Sequence, residues 1–380
     1  MKKVLVFFFI FSGLVYLLTS KGPTPYDYFT RLADAILQGR VYLTTNPPWL
    51  NELIPAGDKY YVVYPPMPAA LAAPLVLFFG PNFEQRYLAH LVGAAIVALT
   101  MAVAWKIKKD KKLAIWSGIL VGFSSIIWFL ASDGSAWHLG QITAAFFLTA
   151  AILESLGAKR PILLGALLGA AYLSRLPTIL ALPFFLVALW PQKDFKKYLL
   201  FLAGVTPFVV ANALYNFTRF GVFWDKGYLL IPNVLNEPWY EKGIFHLSYI
   251  PRHLEIIFGA LPKKINEAPF LIPSWRGLAI WITTPAFIYV LAANIKEKIV
   301  KASWLVIILI SLVIFSHGTT GFAQFGYRFA VDFYPFLTFM AIKAVAKTGV
   351  KWHHWLLLFL GVVVNFWGVI WINKMGWVEF

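Results

Sequence analysis

Apolar positions in this chain come in unbroken runs, not in the spaced stripes of a water-soluble helix. Crossing a ~30 Å hydrocarbon layer takes about 20 mostly apolar residues in helical form. Runs of that kind occupy residues 4–19, 87–105, 113–131, 142–156, 198–215, 278–293, 304–316, 329–346 and 355–372. Between 161 and 190 a longer apolar stretch is interrupted by Ser174-Arg175-Leu176-Pro177. It reads as two short spans meeting in a polar turn, because Arg and Pro are costly in the middle of a bilayer. Residues 67–80 rise only about 21 Å as a helix and carry Pro68 and Pro74, so they are expected to lie on the outer surface. Counting them as a span would put the lysine cluster at 106–112 outside, against the positive-inside rule. The pattern predicts an all-α polytopic membrane protein of about 11 transmembrane helices, with the N-terminus cytoplasmic and the C-terminus outside.

The first run, behind Lys2 and Lys3, also resembles a secretory signal. Leu18-Thr19-Ser20 is a poor small-x-small cleavage site, which favours an uncleaved anchor. Composition agrees with the membrane reading: 60% hydrophobic and 13% charged residues, with mean hydropathy +0.70, exclude soluble domains and disordered regulators. The absence of cysteine excludes disulfides, thiolate metal sites and a Cys nucleophile.

A net charge of +16 raises the question of nucleic acid. Sorting charges by side answers it. Eighteen of the 33 Lys and Arg, Lys193 among them, fall inside against four of the 17 acids, which is +14; the remaining 15 cations and 13 acids make the outside +2. The excess is topological, and no nucleic-acid partner is expected. Eight of nine arginines lie outside, and guanidinium suits bidentate phosphate recognition. Snorkelling to lipid headgroups accounts equally for most single arginines.

Two outer loops, 20–86 and 216–276, are long enough to be functional and are expected to cap the site. In the first, Thr24 as cap, Pro25 at the first helical position and Gly39 at the end predict an amphipathic surface helix. Asp27 then either closes a capping box with Thr24 or faces a substrate, while Asp34 is expected to pair with Arg31. Residues 60–63 predict a short strand, and 246–261 a helix kinked at Pro251. A further short outer turn is expected at 317–328.

Soluble-enzyme motifs are missing: no Walker loop, G-x-G-x-x-G, H-E-x-x-H or D-x-D. Asp133, Ser135 and His138 have the residue types of a hydrolytic triad but are packed too closely in sequence. What remains is outer acids, arginines and aromatics. Glycosyl transfer from a lipid phosphate needs a carboxylate for the acceptor hydroxyl, cations for the leaving phosphate and aromatic faces for a sugar. The same inventory fits a flippase of lipid-linked saccharides or a non-catalytic receptor. Transporters usually hold ionisable residues and broken helices at the midplane, and only the Arg175 turn resembles that.

The order Asp27-x-x-x-Arg31-Leu-Ala-x-Ala-Ile-Leu-x-Gly39, then Tyr60-Tyr61 and Tyr64-Pro65-Pro66-Met67-Pro68, resembles the glycosyltransferase C superfamily. The likeness is to its aminoarabinose transferases and protein O-mannosyltransferases. It continues in Leu173-Ser-Arg175-Leu-Pro177, Tyr215-Asn216-x-x-Arg219-Phe-Gly221 and Gln324-Phe-Gly-Tyr-Arg328-Phe-x-x-Asp332-Phe-x-Pro335. The resemblance implies one transmembrane catalytic domain over 1–380 in the plasma (inner) membrane. It implies a polyprenyl-phosphate sugar donor and a lipid, glycan or protein acceptor. It places Asp27 as general base, Asp133 as assisting acid, and Arg175 and Arg328 on the lipid phosphate, with Asp332 orienting Arg328. Arg31, Asp34, Tyr64, His138, Arg219, Glu241 and His246 complete the candidate substrate contacts. No acidic pair stands beside Asp27, so no metal ligand is assigned and a divalent metal stays an open requirement.

Because the chain lacks cysteine, single cysteines report topology directly. Leu75→Cys should react with an impermeant thiol reagent from outside, and Lys109→Cys only after lysis. Labelling of position 109 from outside would overturn the 11-span arrangement.

Overall fold

The computed structural model describes residues 1–190, 194–321 and 323–379; Lys193 and Phe322, in the expected 317–328 turn, lie outside the described residues. Helix α1 (Lys2–Thr19) buries only Ser12, Tyr16 and Thr19 and leaves most of its apolar surface outward, as a lipid-facing helix does. Tyr16 donates to Gly122 O at 3.0 Å, and Trp128 Nε1 donates to Thr19 Oγ1 at 3.0 Å.

Helix α2 (Tyr28–Leu37) is amphipathic, with Tyr28, Phe29, Leu32, Ala33 and Ala35 buried. It starts later than the sequence suggests. Thr24 Oγ1 accepts from Tyr26 N at 3.2 Å, and Asp27 is the N-cap without a side-chain capping bond. The capping box does not form, because the Asp27 carboxylate takes the charge-assisted bond from Arg31 Nε at 2.7 Å. Asp34 therefore accepts from Gln38 Nε2 at 2.8 Å instead of pairing with Arg31. Gly39, with φ 73°, ends the helix as expected.

Strands β1 (Leu53–Ala56) and β2 (Lys59–Val62) form an antiparallel hairpin with Leu53 opposite Val62. Helix α3 (Met67–Phe79) packs against α2 through a face of Ala69, Ala72 and Val76 and exposes Leu77, Phe78 and Phe79. Its first amide, Met67 N, donates to Leu173 O at 3.0 Å and docks the Pro65-Pro66 segment on the Arg175 turn.

Next come α4 (Gln85–Ile107), α5 (Lys111–Gly122), capped by Asp110, and α6 (Ile127–Asp133), bent from α5 by 54°. They are followed by α7 (Ala136–Ser155), α8 (Pro161–Tyr172), a 3₁₀ turn at Leu176–Ala181, α9 (Leu182–Leu189) and α10 (Phe195–Phe220). The second long loop holds α11 (Gly227–Leu230) and α12 (Ile250–Gly259), and Pro251 lies in the first turn of α12, so it starts that helix and does not kink it. A small hairpin, β3 (Lys263–Lys264) with β4 (Leu271–Ile272), precedes α13 (Ile280–Thr283), α14 (Lys298–Phe315), α15 (Tyr334–Thr348) and α16 (Trp352–Ile370).

Among the described residues, six helices are long and apolar enough to cross a membrane, or seven if α5 and α6 form one bent span. That is a multi-pass membrane protein, but it falls short of eleven long spans. The other expected segments are short or broken: α8, the 176–189 stretch, the 280–292 stretch interrupted before Pro285, and α15. Nearly every side chain of α15 is buried by its neighbours, so that helix meets protein where a lipid-facing one would meet hydrocarbon.

Helices α8 and α10 approach each other backbone to backbone. A Cβ on Gly165 would strike Phe201 O, and one on Gly204 would strike Ile162 O. Small residues here let the backbones touch, which is how helices associate in hydrocarbon. Gly204→Val should force the pair apart and cost about 1–3 kcal/mol, read as a lowered thermal midpoint in detergent.

Candidate functional site

The loop-bearing end of the bundle is organised by two buried polar groups. The first is Gln85, the fully buried first residue of α4. Its Oε1 accepts from Phe29 N at 3.2 Å, and its Nε2 donates to Tyr26 O at 3.2 Å and Gly134 O at 2.7 Å. One side chain thus pins the start of α2 to the turn between α6 and α7. That turn needs glycine: Gly134 has φ 68°, and a Cβ there would lie 2.6 Å from Arg86 Cα.

The acids on either side of Gln85 differ in environment. Asp27 lines a polar cleft of about 370 Å³ with Arg31, Asp34, Arg40 and Glu84. Asp133 points inward: its Oδ2 accepts from Ser135 N at 2.9 Å and lies 2.6 Å from His138 Nδ1. Ser135 Oγ meets the same His138 nitrogen at 3.0 Å. A serine–histidine–acid relay needs the acid and the serine on opposite ring nitrogens, so these three are a local turn brace and not a hydrolytic triad.

The second organising group is the Arg175–Asp332 pair. Asp332 is fully buried and receives Arg175 Nη2 at 2.9 Å and Nε at 3.2 Å, a two-pronged contact between residues 157 positions apart. Asp332 therefore holds Arg175, not Arg328 as expected from its position one turn away. The reason is direction: the 3₁₀ turn Arg328–Asp332 aims the carboxylate at the 173–175 turn. Arg328 instead donates Nε to Gly321 O at 3.1 Å, and its amide is held by Gln324 Oε1 at 2.8 Å. Both guanidiniums stand over the Phe329 ring, Arg175 at 5.6 Å and Arg328 at 5.0 Å from its centroid. No acid pairs with Arg328 among the described residues.

Facing Arg328 is a carboxylate that sequence reasoning passed over. Glu52 accepts from Trp137 Nε1 at 3.0 Å and from the Tyr64 hydroxyl, and its own amide donates to Tyr28 Oη at 3.0 Å. Burial raises its pKa to about 7, further raised by Glu237 and opposed by the Trp137 bond and the charge of Arg328. Tyr228 and Tyr240, from the second loop, feel both Glu52 and Arg328. The available signal was a single acid in the apolar stretch 48–56, immediately ahead of the hairpin.

The structure thus gathers Tyr64, Arg175, Arg328 and Asp332 with Glu52, Trp137 and Tyr228. Arg219 is occupied elsewhere: it donates to Val62 O at 2.6 Å and Asn216 Oδ1 at 2.7 Å and stacks 3.8 Å over Tyr215, fastening α10 to β2. Glu241 is exposed, as is His246, which accepts from Ser248 N at 3.1 Å. Among the described residues no three His, Asp or Glu side chains gather as a metal site.

No family model and no curated protein matches the sequence. Among solved structures, the chain is similar to ArnT from Cupriavidus metallidurans. In the apo state the TM-score is 0.58 at 15% identity, covering 95% of this chain and 62% of that one. Bound to undecaprenyl phosphate the TM-score is 0.57 at 15% identity, covering 96% and 63%. The chain spans about three-fifths of ArnT's length. The likeness establishes the fold and agrees with the glycosyltransferase C resemblance.

Asp332→Ala should leave the half-buried Arg175 without its counter-charge and destabilise the protein by up to about 3 kcal/mol, measured by thermal unfolding in detergent. Adding Arg175→Met should recover much of that loss, since the orphaned charge goes too.

Proposed function

We propose that this membrane protein is an inverting glycosyltransferase that moves a sugar from a polyprenyl-phosphate donor to an acceptor hydroxyl at the outer face of the plasma membrane. The observation that carries this reading is the convergence of Arg175 and Arg328 over Phe329, one satisfied by Asp332 and the other without an acidic partner. A departing lipid phosphate needs fixed cations of this kind where charge develops. The fold shared with ArnT, of which one structure holds undecaprenyl phosphate, supports the same donor class.

In this reading the acceptor enters the cleft at Asp27, and loops 20–86 and 216–276 cap the donor. The acceptor oxygen attacks the anomeric carbon from the face opposite the phosphate, Asp27 takes its proton, and the carbon–phosphate oxygen bond breaks. Arg31 holds Asp27 in place as an ion pair. Arg175 and Arg328 receive the new phosphate charge. Tyr64 and Trp137 offer aromatic faces for the sugar.

The test is transfer in detergent micelles from lipid-phosphate sugars, with products identified by mass spectrometry. Arg328→Gln should lower kcat about 100-fold or more, and Asp27→Asn by about 10²–10⁴-fold, each with an unchanged thermal midpoint. Full activity in Asp27→Asn would remove it as the base. Activity that needs a sealed bilayer would favour transport of the lipid-linked sugar.

A further inference from the structure

Resting on that transferase reading, we propose that Glu52 is a second catalytic carboxyl, a general acid that protonates the leaving lipid phosphate. Two carboxyl groups flank the entry of α2. Asp27 sits between Tyr26 and Tyr28 and opens on the polar cleft. On the other side, Tyr26 packs against Trp137 with ring centroids 4.6 Å apart and the planes tilted by 54°, and Trp137 donates to Glu52. Glu52 is thus on the Trp137 side of the same segment, half-buried and within the field of Arg328.

The groups that face Glu52 fix its protonation. Tyr28 comes from α2, Tyr64 from the segment after β2, and Arg328 from the turn before α15; Tyr228, Glu237 and Tyr240 come from the second loop. Only Arg328 carries positive charge, and Glu237 opposes it. Burial already holds the carboxyl near the neutral range, at about 7. A lipid phosphate drawn to Arg175 and Arg328 adds a second anion beside Glu52 and neutralises much of the arginine charge. Both effects favour the protonated acid once the donor is bound. Asp27 is paired with Arg31 in the cleft it shares with Asp34 and Glu84, on the other side of the α2 entry. A carboxyl that burial holds near neutral is suited to give up a proton to a leaving group.

The balanced step is a single displacement. The acceptor oxygen–carbon bond forms as the carbon–phosphate oxygen bond breaks. The acceptor proton passes to Asp27 and the Glu52 proton to the departing phosphate oxygen. Water then takes the proton from Asp27 and returns one to Glu52.

Calorimetric titration of the purified protein with undecaprenyl phosphate, in buffers of different ionisation enthalpy near pH 7.5, reads proton uptake on binding. Wild type should take up more protons than Glu52→Gln, and in transfer assays its kcat/KM should fall as pH rises above about 7, with the kcat limb displaced to higher pH by the bound donor. Glu52→Gln should lose about 10²–10³-fold in kcat and lack that descending limb. Trp137→Phe removes a bond that favours the carboxylate, so its limb should move to higher pH, a readout independent of whether Glu52→Gln folds. Equal proton uptake in the two proteins, or a limb that survives Glu52→Gln or stays in place in Trp137→Phe, would overturn the role of Glu52 while leaving the transferase reading standing. Wild type that neither binds undecaprenyl phosphate nor transfers from its sugars would overturn both.

Discussion

A carboxylate with no exposed surface must find a counter-charge, and Asp332 finds Arg175. The rest of the site follows from that pairing. It joins the turn after α8 to the turn before α15, and the Met67 amide on Leu173 O brings the first loop to the same place. It also divides labour between two arginines. Arg175 is neutralised, whereas Arg328, held by Gly321 O and Gln324, is positioned by uncharged groups and keeps its charge available. In the proposed reaction a phosphate would meet one cation without an acidic partner and one compensated cation.

Gln85 performs the complementary task for the acids. Its three hydrogen bonds hold the α2 entry against the Gly134 turn, which turns Asp27 toward the polar cleft and Asp133 toward His138. An amide suits this position because it donates and accepts at once without bringing charge into the interior. The second loop contributes Tyr228 and Tyr240 to the surroundings of Glu52 and Arg328, so this group assembles from distant parts of the chain.

Much of this was legible in the residue order. The apolar runs marked the helices, Gly39 marked the end of α2, and the Ser174–Pro177 interruption marked a break in a helical stretch. The motifs around Arg175 and Arg328 pointed to residues that do come together. Other expectations failed for local reasons. Thr24 did not cap α2 because Asp27 lies nearer its true start, and Asp34 lost Arg31 to Asp27, which reaches the same guanidinium from one turn earlier. Arg219 belongs to a motif that resembles the family, and its guanidinium is bonded to Val62 O and Asn216 Oδ1. Six or seven of the expected spans are long, apolar helices among the described residues, and the others are shorter segments packed among neighbouring helices.

The sequence by itself determined the solvent. With this hydropathy and charge distribution the chain must place its helices in hydrocarbon and its loops in water, since hydration energy is summed residue by residue and needs no knowledge of contacts. Only the tertiary structure decided which charges act. Glu52 is unremarkable in the sequence because its pKa is raised by burial first, with Trp137 and Arg328 opposing and Glu237 of the second loop adding, and none of these is its neighbour along the chain. Electrostatic and desolvation energies depend on distances through space, and those exist only once the helices have packed.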